Sequence, residues 1–163
     1  MSTRRETLQW MMAGAGLLAL DPRAALAADG GKAGLITRAI PSSGERVPII
    51  GLGSSASFAQ VARSEDLSAL REVLGRLVEL GGTVFDTAPA YGASEEVAGR
   101  IARELGIERK LFWATKLNVA PRGGGSADPA AAREQLEASF RRIGKPVIDL
   151  VQIHNMGDLR TQL

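Results

Sequence analysis

The sequence contains no cysteine, one histidine and one tyrosine, and aromatic residues make up 4% of it. The first absence excludes disulfides and thiolate metal sites, and a lone histidine leaves no His/Cys set of the kind that binds zinc. The longest apolar stretch falls short of the ~20 residues that a membrane-spanning helix needs, so a stable membrane anchor is not expected. Charge of one sign is not in excess either. Against 18 Asp and Glu stand 20 Lys and Arg, a formal net charge of +2, without the basic stripe that a nucleic acid or a membrane surface would call for. What is there is a chain of 163 residues with 45% hydrophobic content, the size and composition of one globular domain. Its chemistry has to come from oxygen and nitrogen groups.

Residues 1–27 have the order of an export signal. Arg4 and Arg5 open it, an apolar stretch runs from Leu8 to Leu20, and Ala25-Leu26-Ala27 offers a small-x-small cleavage site. The competing reading is a frayed N-terminal helix. Thr3-Arg4-Arg5-Glu6-Thr7-Leu8 resembles a twin-arginine signal, from which Thr7 and Gln9 depart. That resemblance implies delivery of an already folded protein to the periplasm. Cleavage after Ala27 would be followed by a linker over 28–35 and a domain over 36–163.

From Ile36 onward, short apolar runs alternate with stretches of helical spacing. The opening pair Ile36–Ile40 and Val47–Leu52 flanks Pro41-Ser42-Ser43-Gly44, whose composition is that of a hairpin turn, and its second arm can lead into a sheet. Ser64 is expected to cap a helix to Leu80 in which Leu67, Leu70, Leu74, Leu77 and Val78 share a face. Thr83-Val84-Phe85 reads as a strand, and Ser94 as the cap of a second helix that ends at Gly106. Leu111–Thr115 is the next strand. Asp128-Pro129 opens a third helix as cap and first-turn proline, carrying Leu136, Phe140 and Ile143 to Gly144. Val147–Ile153 is the last strand. Strands apolar on both faces, each followed by a helix, belong to a parallel α/β sheet. A dinucleotide-binding doubly wound sheet should carry G-x-G-x-x-G, but Gly51-Leu52-Gly53 is followed by Ser54-Ser55-Ala56, so a (β/α) barrel is the better reading.

Three apolar runs stop at an ionisable group: Asp86 after Phe85, Lys116 after Thr115, His154 after Ile153. In a (β/α) barrel these strand ends converge on one face, and Tyr91, five residues past Asp86, can reach it. Each has a plainer reading. Asp86 could bind loop amides, Lys116 could reach solvent, His154 could be a satisfied buried histidine, and Tyr91 could cover its loop. No packing rule, however, places an acid, a base and a histidine at successive strand ends. Together they make a carbonyl-reducing set: a nearby ammonium stabilises a phenolate and lets Tyr91 act as general acid, Asp86 holds Lys116, and His154 orients a carbonyl oxygen. The hydride has to come from a nicotinamide.

Phe85-Asp86-Thr87-Ala88-Pro89-Ala90-Tyr91-Gly92 with Ser94-Glu95 closely resembles the aldo/keto reductase signature D-x-A-x-x-Y-G and its trailing S-E. Ala114-Thr115-Lys116 is similar to the family's strand-three lysine, Asp149–His154 to its strand-four histidine, and Ile50–Gly53 to the end of its first barrel strand. The resemblance runs from about Ile36 to Asn155. It implies the N-terminal half of a (β/α)8 TIM barrel, about four parallel strands with covering helices preceded by a β-hairpin. It further implies Tyr91 as proton donor, Asp86 and Lys116 tuning it, His154 orienting the substrate, Gly53 and Ser54 beside the nicotinamide, and NADPH reducing an aldehyde or ketone. A full barrel takes about 250 residues, and Asp158–Leu163 reads as the start of an unfinished helix. The expectation is therefore double: a reductase completed by further sequence or by a second chain, or a truncated, non-catalytic half-barrel, a remnant or binding module without a cofactor site.

Overall fold

A computed structural model describes residues 34–120 and 126–155. The expected export signal, most of the 28–35 linker and the helix start at Asp158–Leu163 lie outside the described residues. Within them the order is β1 (Thr37–Ala39), β2 (Arg46–Pro48), β3 (Leu52–Gly53), α1 (Ser57–Val61), α2 (Ser68–Glu79), β4 (Val84–Asp86), α3 (Ser94–Glu104), β5 (Phe112–Leu117), α4 (Pro129–Ile143) and β6 (Leu150–Ile153).

The hairpin is there: β1 and β2 pair antiparallel with Arg38 opposite Val47. Its second arm, expected as one strand over Val47–Leu52, is divided in two. β2 ends at Pro48, after which one bond, from the Ile49 amide to the Ile36 carbonyl at 3.0 Å, still joins the arms, and β3 belongs to the other sheet. Between them the chain crosses β4 so closely that a Cβ at Gly51 would stand 2.7 Å from Val84 Cγ1. Only glycine passes there without displacing Val84.

The main sheet has four parallel strands in the order β3-β4-β5-β6. A doubly wound sheet reverses its strand order at a switch point. Here sequential strands are sequential neighbours throughout, as in a barrel wall. Register then decides which side chains share a face, because residues two apart point the same way. Leu52 pairs with Phe85 and Phe85 with Trp113, and this row faces the helices. Phe85 and Trp113 are fully buried in one core with Leu70 and Leu74 of α2, Val97 and Ile101 of α3 and Ile143 of α4. Phe58 and Phe85 meet edge to face at 5.4 Å, and Phe85 and Trp113 at 5.2 Å. Such pairs add about 0.5–1.5 kcal/mol each beyond the area they bury.

The helices form where apolar spacing demanded them, but two starts differ from expectation. The Ser64 hydroxyl does not cap a helix; it donates to the carbonyls of Val61 and Asp66, at 2.7 Å each. The chain therefore turns once more, and α2 begins at Ser68, whose amide donates to Asp66 Oδ1 at 2.9 Å. Ser94 is likewise not a cap. It is the first residue of α3, and its hydroxyl is spent on the Ser54 carbonyl at 2.9 Å. The third start is as read: Asp128 Oδ1 accepts the Ala131 amide at 2.9 Å, Pro129 opens the first turn, and Gly144 ends α4 in the left-handed conformation. α1 was not foreseen. Five residues after Ala56, which itself has φ 47°, carry too short a pattern to read.

Candidate active site

The second row of the sheet, opposite the helix-facing one, carries the candidate residues. Gly53 pairs with Asp86, Asp86 with Ala114, and Ala114 with Leu150. Lys116 lies two residues beyond Ala114 and pairs with Gln152, and His154 lies two beyond Gln152. All four positions, Gly53, Asp86, Lys116 and His154, thus have the same parity and point away from the helices. The stepwise advance from strand to strand is the stagger that tilted barrel strands need to bring their ends to one height.

Side-chain contacts join them. Lys116 Nζ stands 2.5 Å from Asp86 Oδ1 and donates to the Thr87 carbonyl at 3.0 Å. The pair is partly buried, the lysine side chain 15% exposed and the aspartate 36%, so its attraction is less screened than that of a surface pair. The same ammonium lies 5.2 Å from the centre of the Tyr91 ring. Tyr91 also meets the His154 ring edge to face, with centroids 5.6 Å apart. A cation, a carboxylate, a phenol and an imidazole drawn from three separate stretches meet at one place. That set can hold a charge beside a phenol and present two ring groups to a carbonyl oxygen.

The loop between β4 and α3 is shaped to bring Tyr91 there. Its ends are tied by Thr87 N–H to the Ala114 carbonyl at 2.8 Å and by Ser94 N–H to the Tyr91 carbonyl at 3.2 Å. Gly92 turns at φ 61°, with the Arg63 guanidinium lying 3.1 Å from where a Cβ would be. Any other residue would be strained and would push Arg63 aside. Two clefts open beside Ala90: one of about 440 Å³ lined by Gln60, Arg63 and Tyr91, the other of about 480 Å³ lined by Asn118, Asp128 and Gln135.

Gly53 is exposed, and a Cβ on it would touch nothing within 4 Å. Open backbone next to Asp86 suits the approach of a flat ring. Ser54 is fully buried. Its amide donates to the Asp86 carbonyl at 2.9 Å, and its own carbonyl receives Ser94. The Ser54 and Thr87 hydroxyls find no hydrogen-bond partner among the described residues.

Sequence reasoning did not foresee what Glu95 does. It is fully buried, accepts the Thr115 hydroxyl at 2.7 Å through Oε1, and accepts Arg142 at 2.9 Å through Oε2. The signal was available in spacing. Glu95 shares a helical face with Ala98, Gly99 and Ala102, all small and buried. No group of three or more His, Cys, Asp or Glu fit for a metal ion occurs among the described residues.

Comparison with known proteins agrees with this fold. Residues 49–159 match the profile of the aldo/keto reductase family. An aldo-keto reductase of Mycobacterium sp. (strain MCS) is 35% identical over 114 residues, 69% of this chain and 35% of that protein. A putative aldo-keto reductase from Pseudomonas aeruginosa superposes with a TM-score of 0.62 at 28% identity, over 77% of this chain and 49% of that one. An aldo/keto reductase from Klebsiella pneumoniae, solved in complex with NADP and acetate, superposes with a TM-score of 0.52 at 28% identity, over 71% and 38%. The chain thus spans about a third of the curated relative and less than half of either solved structure.

Proposed function

The chain belongs to the aldo/keto reductase family, and from that premise we propose that it supplies the proton-transfer half of an NADPH-dependent reductase that turns aldehydes or ketones into alcohols. The observation that carries the proposal is the convergence on Tyr91: Lys116 Nζ 5.2 Å from its ring, Asp86 on that nitrogen at 2.5 Å, and the His154 ring at 5.6 Å. The NADP held by the Klebsiella pneumoniae structure supports the choice of cofactor.

In this reading Tyr91 gives its phenolic proton to the carbonyl oxygen as that oxygen gains negative charge. Lys116 stabilises the phenolate left behind, and Asp86 keeps the ammonium in place and offsets its charge before reaction. His154 donates a ring N–H hydrogen bond to the same oxygen and fixes the carbonyl plane. Bound NADPH would supply the hydride that no side chain can. Gly53 would face its flat ring, and Ser54, buried beneath, would hold the strand end that presents Gly53.

Among the described residues β6 is an edge strand, with Leu150 40% and Val151 38% exposed. An uncovered apolar edge favours a working form in which further strands, from this polypeptide or a second chain, close the wall. Titrating the full chain with NADPH and assaying an aldehyde panel tests the proposal. Saturable binding with turnover supports it; a folded chain that binds no nucleotide removes the reductase reading and leaves the non-catalytic half-barrel. The order of charge, apolar run and small-residue site in residues 1–27 supports periplasmic export by a twin-arginine-type signal. A periplasmic product beginning at Ala28, lost when Arg4 and Arg5 both become lysine, is the expected result; an unprocessed cytoplasmic chain would contradict it.

A further inference from the structure

The first turn of α3 starts three residues after Tyr91, and both of its leading side chains are fully buried. Ser94 donates to the Ser54 carbonyl at 2.9 Å, and the Ser54 amide donates to the Asp86 carbonyl at 2.9 Å. This ties the start of α3 to β3 and thence to the strand that carries Asp86. Glu95 accepts the Thr115 hydroxyl at 2.7 Å. Thr115 precedes Lys116 on β5, so the two side chains point to opposite faces of the sheet. The Glu95 carboxylate therefore grips, from behind, the strand whose front holds the ammonium. Arg142 of α4 closes the set on the other carboxylate oxygen at 2.9 Å.

A buried carboxylate is costly to maintain and would be replaced cheaply by an apolar side chain if only packing were at stake. This one lies at a helix N-terminus, where the backbone dipole favours its charge, and it has a partner for each oxygen. Its position is what distinguishes it. The Tyr91 loop is short, and its C-terminal end is held towards β3 by Ser94 and to β5 by Glu95.

We propose that Ser94 and Glu95 are positioning residues: through Ser54 and Thr115 they set where the Tyr91 ring stands relative to Lys116 and His154. The inference rests on the reading of Tyr91 as general acid, but its geometric content can be tested without catalysis. The chain has a single tyrosine and a single histidine, so a nuclear Overhauser contact between a tyrosine ring and a histidine ring has one assignment only. In the full wild-type chain that contact is expected, given rings 5.6 Å apart.

Thr115→Val removes the hydroxyl that Glu95 holds while keeping the shape of the side chain. It should cost the Tyr91–His154 contact more than half its intensity while circular dichroism stays that of a folded chain. Thr115→Ser, which keeps the hydroxyl, should restore it. Glu95→Gln and Ser94→Ala should weaken it in the same way, and should one of them fail to fold, the Thr115 pair still decides. In a turnover assay the expected split for Thr115→Val is a fall in kcat of about a hundredfold, the scale of a misplaced reacting group, with KM for NADPH within about twofold because Thr115 faces the helices and not Gly53. An undiminished ring contact in folded Thr115→Val, or no ring contact in the wild type, overturns the inference. A ring contact that behaves as described in a chain without turnover leaves it standing and counts against the reductase reading alone.

Discussion

The two faces of the β3–β6 sheet are built to different rules. The helix-facing row, Leu52, Phe85, Trp113 and Thr115, is dry, its aromatic pair fully buried and its one polar member matched to Glu95. The other row, Gly53, Asp86, Lys116 and His154, holds charges that touch one another and leaves Leu150 beside them exposed. The first face is covered by helices from β4 to β5 and opens at β6, where Val151, opposite Thr115, is exposed. The second gathers the proposed reacting groups around a space that only a closed barrel would shield from water. Stability should therefore depend on the first row and chemistry on the second, and substitutions on either side can break that division.

Tyr91→Phe should have the largest effect. Losing the one hydroxyl that can deliver a proton should lower kcat about a thousandfold, within the usual range for a general acid. NADPH affinity and melting temperature should stay within error, since the ring and its contacts remain. Steady-state kinetics beside a nucleotide titration read both. Comparable turnover in the variant would move the acid elsewhere and dissolve the chemical half of the comparison.

Trp113→Ala attacks the other row. It removes the largest fully buried side chain among the described residues and leaves a cavity against Phe85, a loss of about 3–5 kcal/mol. That is a large part of what a small domain has. Chemical denaturation should show a midpoint collapsed toward zero denaturant. A well-folded variant with wild-type stability would mean that the helix-facing row is not what holds the sheet.

How much of this division was legible in the sequence differs by row. The strand-end groups stood out because ionisable residues closing apolar runs break a simple pattern, and the D-x-A-x-x-Y-G stretch fixed which of them belong together. The parity that puts Gly53, Asp86, Lys116 and His154 on one side follows from pairing registers, which strand sequences of two to six residues do not specify. The polar ties were less legible still. Ser64 and Ser94 both look like helix caps, and both spend their hydroxyls as donors to carbonyls. A serine can donate or accept, and spacing does not say which. Glu95 was hidden because a carboxylate is read as surface unless its partner is known, and Arg142 lies 47 residues away.

Helix starts sharpen the comparison at smaller scale. Asp128 caps α4 through its own side chain, and Asp128→Ala should cost about 1 kcal/mol, visible as a modest fall in melting temperature. Because α4 carries Arg142, the same variant should loosen Glu95 only slightly. A loss as large as that of Trp113→Ala would mean that α4 is held by its cap rather than by its buried face.

The smallest effect is expected at Asp66, where α2 begins. The Ser68 side chain and amide hold its carboxyl below the usual carboxylate range. A group whose folded value is depressed contributes stability above its unfolded value and loses that contribution as pH falls through the folded value. Asp66 is fully exposed, so water and salt screen much of the contribution. Asp66→Asn should therefore melt slightly below the wild type at neutral pH, and the two curves should merge on acidification below the carboxylate range. Identical melting at neutral pH would show that the residue acts through its amide-accepting oxygen, which asparagine keeps, rather than through its charge. It would make the start of α2 a matter of hydrogen-bond geometry alone, like the carbonyl ties of Ser64 just before it.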